Sequence, residues 1–599
     1  MRAGNLLLAG ILASGQAFAS PHSFSMENHQ MPMMDASTSN GFAFSEISLL
    51  HLVFNWVHSS LSRWLPSSVG NEDSELFNID NQYSALEKPD LPDKTIWEVI
   101  QESEHFTDLK KVLKYSGPGA RKLLDDKEKK LTFLAPANWH HDNHKDEELN
   151  WFKLGQWNNI EKTIKMFEDE KASTFEDDKD KERKRKWLAI IIDATLRYHV
   201  IDGGKEPLTA WQITQNSSVA TDLTIGKGKA REVLGNLMDG FPYRLRVGKS
   251  LLPRPSLYFN FYSRLVYPDV NVGGSLVHAI SLPLLIPPSA LQTLYFSVPE
   301  LGGTVSALQK THTDGYFRLP INRSAIDDEY SPLGKSAHCS PMDPAERLEH
   351  MFGQVPVDEI EAMDAQRHTH HRDEDGSPHH GGRKGHSASG QPDLTFFAPD
   401  NLAWYRLPPL LRIFLWSPYG SRVLAKVLAL HSLPKTIFFA DFVHIRDDKL
   451  QFQSKETIAA HDLVNSPEWL WGPSSEQPSV PFGDAEVTRY TFKTALPKIH
   501  HKDPKEGGIT LEKEEYETVD VAVYRYKILP GGRGPLQTRI SVQGVPIVFQ
   551  DIAVANGALH TISRFIKPKG HPHKGIWAYA SEEASKYGFG DGDLAAQML

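Results

Sequence analysis

The sequence predicts two homologous globular domains in tandem, each mixing helical and strand segments. Three observations carry this. The octapeptide at 131–138, Leu-Thr-Phe-Leu-Ala-Pro-Ala-Asn, returns at 394–401 as Leu-Thr-Phe-Phe-Ala-Pro-Asp-Asn, with six of eight positions identical. Tyr198-His199-Val200, which follows a helical apolar stretch, is answered by Leu430-His431-Ser432 after another. Finally, Gly274-Ser-Leu-Val-His278-Ala-Ile280 is answered by Gly557-Ala-Leu-His560-Thr-Ile562. The offsets between copies are 263, 232 and 282 residues. A fixed-period repeat array would give a single offset, so unequal offsets imply two globular domains with separate insertions.

Each octapeptide reads as a short, fully buried strand, because its apolar residues run on without alternation. Pro136 and Pro399 stop the ladder, and Asn138 and Asn401 suit a turn or a helix N-cap. Phe133 and Phe396 are the large core side chains of these strands. The first domain opens at Thr95-Ile-Trp-Glu-Val-Ile100, where Thr95 and Glu98 have capping-box spacing. After the first octapeptide comes an insertion at 143–186, whose mixed-charge run from Phe175 to Lys186 suits a solvated face. A helix over Leu188–Leu196 delivers Tyr198-His199. Strands follow at Leu245–Val247, Leu257–Phe261 and Leu276–Ile280.

Pro287-Pro288 separates the domains. The first spans 93–283 and the second 289–568. The second has helical apolar spacing from Ser289 to Leu308, a long polar insertion at 321–392, a helical stretch over Leu410–His431 and a further insertion at 461–515. Strands close it at Val519–Tyr526, Thr538–Val542, Val545–Phe549 and Leu559–Ile566, and Asn556-Gly557 between apolar runs signals a tight turn. Residues 569–599 read as a C-terminal tail.

Composition sets bounds. The chain has 599 residues, 40% of them hydrophobic, with a formal net charge of −10. That balance gives no support for nucleic-acid binding, which shows a basic footprint. Residues 1–19 have the pattern of a secretory signal: Arg2, a short apolar core over Leu6–Ala13, and Ala17-Phe-Ala19 before Ser20. The one cysteine, Cys339, leaves no internal disulfide to form. Residues 20–92 read as a polar segment and linker around an amphipathic helix at 42–65, which either docks on the first domain or makes peripheral contact with a membrane or partner. The expected location is the secretory pathway, in a vacuolar lumen or outside the cell at the wall.

Several residues are candidates for chemistry. His278 shares strand parity with Leu276 and Ile280, and His560 with Ala558 and Ile562. Both are expected to point inward, either bonded to backbone carbonyls or as ligands. The stretch His368–His386 includes His368, His370, His371, His379 and His380, with Asp373, Glu374 and Asp375. It can bind Zn²⁺ or Cu²⁺ adventitiously or as a function, though it lacks fixed ligand spacing. No Gly-x-Ser-x-Gly, His-Glu-x-x-His, Cys-x-x-Cys or phosphate-binding loop is present. No enzymatic activity or cofactor is therefore expected. Asn216-Ser-Ser218 and Asn322-Arg-Ser324 are glycosylation triplets.

Taken together, these boxes resemble the fasciclin-like domain family. Thr395–Trp404 resembles its first box, Tyr198-His199 its central Tyr-His, and Asn556–Ile562 followed by Pro568 its closing box. Thr95–Ile100 is similar to its opening helix. The long insertions and the two-domain layout are similar to fungal members. The resemblance implies an α+β fold: two tandem domains, each a twisted β-sandwich or wedge with helices along one side. It also implies adhesion or extracellular binding at a surface, wall or membrane, with Tyr198, His199 and His431 as the candidate binding residues. The second domain departs from the pattern in having Leu430 for Tyr, and Trp139-His140-His141 interrupts the first box of the first domain.

Overall fold

The computed structural model describes residues 90–138, 189–204, 206–225, 231, 234–250, 256–320, 390–446, 451–459, 484–501, 509–529, 533–567 and 576–589. The signal at 1–19, the helix at 42–65, the charged insertion at 143–186, Asn322, Cys339 and the His-rich stretch lie outside them.

The described chain is α+β, and it builds the same sheet twice. The first unit contributes β1 (Asp90–Leu91), β2 (Thr132–Pro136), β3 (Val200–Ile201), β4 (Ser218–Ala220), β5 (Arg244–Ser250), β6 (Ser256–Phe259), β7 (Ser263–Val272) and β8 (Ser275–Ile280). Its curled sheet runs β3-β2-β8-β7-β6-β5-β4, and β1 pairs in parallel with β7. The second unit contributes β9 (Leu394–Pro399), β10 (Ser432–Pro434), a separate hairpin of β11 (Thr436–Phe439) and β12 (Phe442–Ile445), and then β13 (Gln451–Ile458). It continues with β14 (Ala485–His501), β15 (Ile509–Leu529), β16 (Arg533–Val542), β17 (Val545–Val554) and β18 (Gly557–Ile562). Its sheet runs β10-β9-β18-β17-β16-β15-β14-β13. Position for position, the first seven strands of each path correspond.

The octapeptides are β2 and β9, and each pairs in parallel with the closing strand of its own unit. Phe133 lies opposite Val277 and Leu134 opposite His278; Phe396 lies opposite Leu559 and Phe397 opposite His560. A strand buried on both faces needs no polar alternation. Phe133 and Ala135 pack into one core with the helices Ile96–Glu102, Thr107–Leu113 and Pro118–Leu124, while Leu134 faces the other way into a second core. That second core runs from the first unit into the second, taking in Ile437, Phe439, Ala555 and Ala558. A third core fills the second unit beneath the helices Ala290–Phe296, Val298–Lys310, Pro409–Trp416 and Ser421–Leu430.

Three segments differ from the sequence expectation. Much of 461–515, read as an insertion, is strand: β14 and β15 form a long antiparallel ladder continuous with the sheet. The helix Ile576–Lys586 lies in what reads as a tail; Ile576, Trp577, Ala580 and Ala584 are buried in the third core, and Trp577 Nε1 donates to Ile566 O at 3.0 Å. The first unit also begins earlier than residue 93, since β1 already belongs to its sheet.

Candidate functional site

The repeated histidines sit in two kinds of socket, each present twice. His199 and His431 close the C-terminal ends of equivalent helices. Their Nδ1 atoms donate to the carbonyls one turn back, Thr195 O and Val427 O, both at 2.7 Å. Their Nε2 atoms accept from backbone N–H groups just past the closing strands, Leu284 at 2.8 Å and Ile566 at 3.0 Å. Both rings are fully buried. Burial lowers each pKa to about 4, against the opposing bond to the carbonyl. Each is therefore a neutral ring that straps a helix end to the strand exit.

His278 and His560 belong to a larger constellation. In the first unit, Asp269 N donates to His278 Nδ1 at 2.9 Å and His278 Nε2 donates to Leu208 O at 2.9 Å. Leu208 N donates to Thr132 Oγ1 at 2.6 Å, and Ala210 N donates to Asp269 Oδ1 at 2.7 Å. The second unit repeats every contact. Asp551 N donates to His560 Nδ1 at 3.2 Å and His560 Nε2 to Phe438 O at 3.0 Å. Phe438 N donates to Thr395 Oγ1 at 3.0 Å, and Ala440 N to Asp551 Oδ1 at 2.9 Å. Both aspartates have positive φ, 55° and 59°, at irregularities in the β7–β8 and β17–β18 registers. A non-glycine residue there is strained, and Asp tolerates it better than most.

The scaffold around this constellation is not the same in the two units. Leu208 and Ala210 lie at the start of the helix Ala210–Thr214, whereas Phe438 and Ala440 belong to the end of the β11–β12 hairpin. The contacts are kept while the local backbone differs. Thr132 and Thr395 are identical positions of the repeated octapeptide, but nothing in the sequence boxes points to Asp269 or Asp551. One signal was available: each Asp lies nine residues before its His.

Other sequence candidates have structural posts too. Asn138 Nδ2 donates to Glu104 O and its Oδ1 accepts from Asp108 N; Asn401 likewise bridges Pro299 O and Gly303 N. Asn138 ties the turn at Glu104 to the start of the helix Thr107–Leu113, and Asn401 bridges the first turn of the helix Val298–Lys310. Asn401 is not an N-cap; Asp400 takes that role in the helix Asn401–Tyr405. Pro136 and Pro399 end β2 and β9. Tyr198 is fully buried, accepts from Asn260 Nδ2 at 2.8 Å and donates to Arg244 O at 3.3 Å. Tyr198, His199 and His431, the candidate binding residues, are all fully buried, and none of the three reaches solvent. Asn216 is half-buried, its amide donating to Gln212 O at 3.0 Å.

The second constellation borders a polar junction between the units. Asp441 accepts from Ser218 N at 2.8 Å and pairs with Arg244 at 3.3 Å, whose guanidinium stacks 4.8 Å from the Phe442 ring centre. Tyr243 Oη donates to Ala555 O at 2.8 Å, Arg246 Nε to Gln550 O at 2.9 Å and Lys249 Nζ to Leu536 O at 2.6 Å. His444 Nε2 meets Asp239 at 2.8 Å, and Arg446 Nη2 donates to Asn236 O at 2.7 Å. Burial, then the neighbouring Asp441 charge, raises Asp551 to about 7. Burial lowers Lys249 to about 7 against the attraction of Asp441.

Among the described residues, no group of three or more His, Cys, Asp or Glu is placed to hold a metal ion, and no helix is long and apolar enough to cross a membrane. The ring nitrogens of all four repeated histidines are engaged by backbone groups, so their arrangement holds strands together and offers no lone pair to a ligand.

No family model matches the chain, and no curated protein matches it. Among solved structures, the chain is similar to a FAS1 domain pair from the insect cell adhesion molecule Fasciclin I, at 13% identity and a TM-score of 0.23, over 77% of this chain and 97% of that one.

Proposed function

We propose that this chain is a non-catalytic scaffold of two fasciclin-like domains that works in adhesion or extracellular binding within the secretory system, at the cell surface or wall or in a vacuolar lumen. One observation carries the reading. Residues of the boxes that give the family resemblance, Thr132 with His278 and Thr395 with His560, anchor a constellation repeated contact for contact, Thr132–Leu208–His278–Asp269–Ala210 and Thr395–Phe438–His560–Asp551–Ala440, whose job is to hold strands. Such a design suits a protein whose surface, rather than a catalytic cleft, does the work. The secretory pattern of residues 1–19 supports the compartment. Localisation of a tagged chain with that segment intact, followed by pull-down against wall polysaccharide and surface proteins, tests it. A cytosolic location, or no binding to either at high protein concentration, overturns it.

A second reading, lumenal metal binding, is favoured by the six histidines between Arg367 and His386. Titration with Zn²⁺ and Cu²⁺ tests it, and unchanged binding after deletion of Ile360–His386 overturns it.

A further inference from the structure

The helix Pro409–Trp416 is apolar on both sides. Leu411, Phe414 and Leu415 point into the third core, as an amphipathic helix requires. Its outer positions are expected to be polar, yet Leu410 is 47% exposed and Ile413 55%. The flanks continue the pattern: Tyr405 is 75% exposed, Tyr419 59% and Tyr587 49%, and the last two stack with ring centres 4.5 Å apart. Leu410 and Ile413 lie one turn apart on the same outer face of the helix, and exposed apolar side chains grouped in this way mark an interaction surface.

The charge around this face is predominantly basic, although Arg406 also neighbours the Asp400 carboxylate, which has Glu300 near it. No Asp or Glu occurs between Asp400 and Asp441, in a chain whose formal net charge is −10. Arg412 lies over the Tyr405 ring at 5.6 Å, and Arg406 Nη1 donates to Ser563 O at 3.1 Å. Arg564 stands close enough to Arg406, and Lys567 to Arg564, for their like charges to interact. The nearest carboxylates on the neighbouring helix, Glu582 and Glu583, are paired with Lys586 at 3.2 and 2.8 Å. Two aliphatic side chains flanked by tyrosines and rimmed by Arg and Lys are complementary to an interface where hydrocarbon meets anionic headgroups. Aromatic rings with a polar tip settle at that depth, and cations are drawn to the headgroups.

We propose that the face formed by Leu410 and Ile413, with Tyr405 and Tyr419 beside them and Arg406 and Arg412 at its rim, docks on an anionic lipid bilayer. Membrane contact there does not depend on the scaffold role.

The test is flotation of the full chain with vesicles of phosphatidylcholine alone, and with a third of that lipid replaced by phosphatidylserine. The wild-type chain is expected to float with the anionic vesicles and to be released by salt. Leu410→Ser with Ile413→Ser should lower partitioning about tenfold, and Arg406→Gln with Arg412→Gln about fivefold per charge at low salt. Both pairs alter exposed or half-exposed positions, and an unchanged circular dichroism melt establishes that each variant is folded. A third variant, Leu49→Ser with Val53→Ser, addresses the separate amphipathic segment. Flotation lost only in that third variant overturns the proposal, as does equal flotation by wild type and the Leu410/Ile413 pair. It is also overturned if sedimentation velocity shows self-association abolished by that pair without any lipid binding, because the face would then join two copies of the chain.

Discussion

The backbone N–H of Asp551 donates to Nδ1 of His560 across the β17–β18 pair, at 3.2 Å, with the aspartate at positive φ. Asp269 and His278 are joined in the same way in the first unit. Replacing either histidine with leucine keeps the bulk but leaves a buried N–H and a buried carbonyl unpaired. His560→Leu and His278→Leu should each cost about 2–4 kcal/mol in denaturant unfolding, from the stranded groups. A loss below half a kcal/mol would show that the constellation is not a structural tie.

Phe133 and Phe396 are fully buried at equivalent places in β2 and β9. Phe133→Ala or Phe396→Ala should cost about 3–5 kcal/mol each by opening a cavity. Equilibrium unfolding measures this. Neither change should remove a particular binding activity while stability is kept.

Gly557 begins β18 with φ at 139°, and a Cβ there would lie 1.8 Å from Leu394 O. Backbone cannot yield as the tip of a side chain can. Gly557→Ala should therefore separate β18 from β9 and lower the melting temperature by at least ten degrees or so, or prevent folding. Gly274→Ala is the milder partner, since its added Cβ meets only the Lys130 side chain at 3.7 Å, although its φ of 84° still imposes strain.

Stability should depend on pH in two opposed ways. His199, His431 and His560 are held near 4 by burial, while the unfolded histidine titrates near 6.5. Between those values the unfolded chain takes up protons that the folded chain refuses. The stability they confer is complete above about pH 6.5 and falls as pH drops toward 4. Asp551 acts in the other direction. Burial raises it to about 7, so its contribution is full below about pH 4 and is lost as pH rises through 7. Asp551→Asn removes that opposing term. Its unfolding midpoint should fall more steeply than wild type between pH 7 and 4, and at pH 8 it should exceed wild type by roughly 1–3 kcal/mol. Parallel profiles for the two proteins would refute the assignment.

The repeat was legible because its strands are buried on both faces, and the run Leu-Thr-Phe followed by a further large apolar residue, Leu134 or Phe397, survives in both copies. The Thr95–Glu98 capping box was legible for a similar reason, as its two bonds are local. The β14–β15 ladder was not. Lys513, Glu514 and Glu515 give β15 the composition of a solvated loop, and they fall where its register with β14 breaks, between the pairs Pro497–Tyr516 and Ile499–Leu511. The helix Ile576–Lys586 was missed because half of its apolar positions are alanines, which gain meaning only against Ile566 and the third core. The junction was hidden for a different reason. Ser218 and Asp441 come from different units and from positions the repeat does not match, so no pattern within one copy could pair them.

The parallel pairing of the first box with the closing strand also has a mechanical meaning. In the second unit, six consecutive residues from Gly557 to Ile562 are in register with Leu394–Pro399, and in the first unit five are paired in the same sense. Tension entering a unit at the start of its box strand and leaving at the end of its closing strand pulls these neighbours in opposite directions along a shared axis. The rungs are then sheared together instead of being unzipped one at a time, so the strands that define the repeat are also the ones best placed to bear a load.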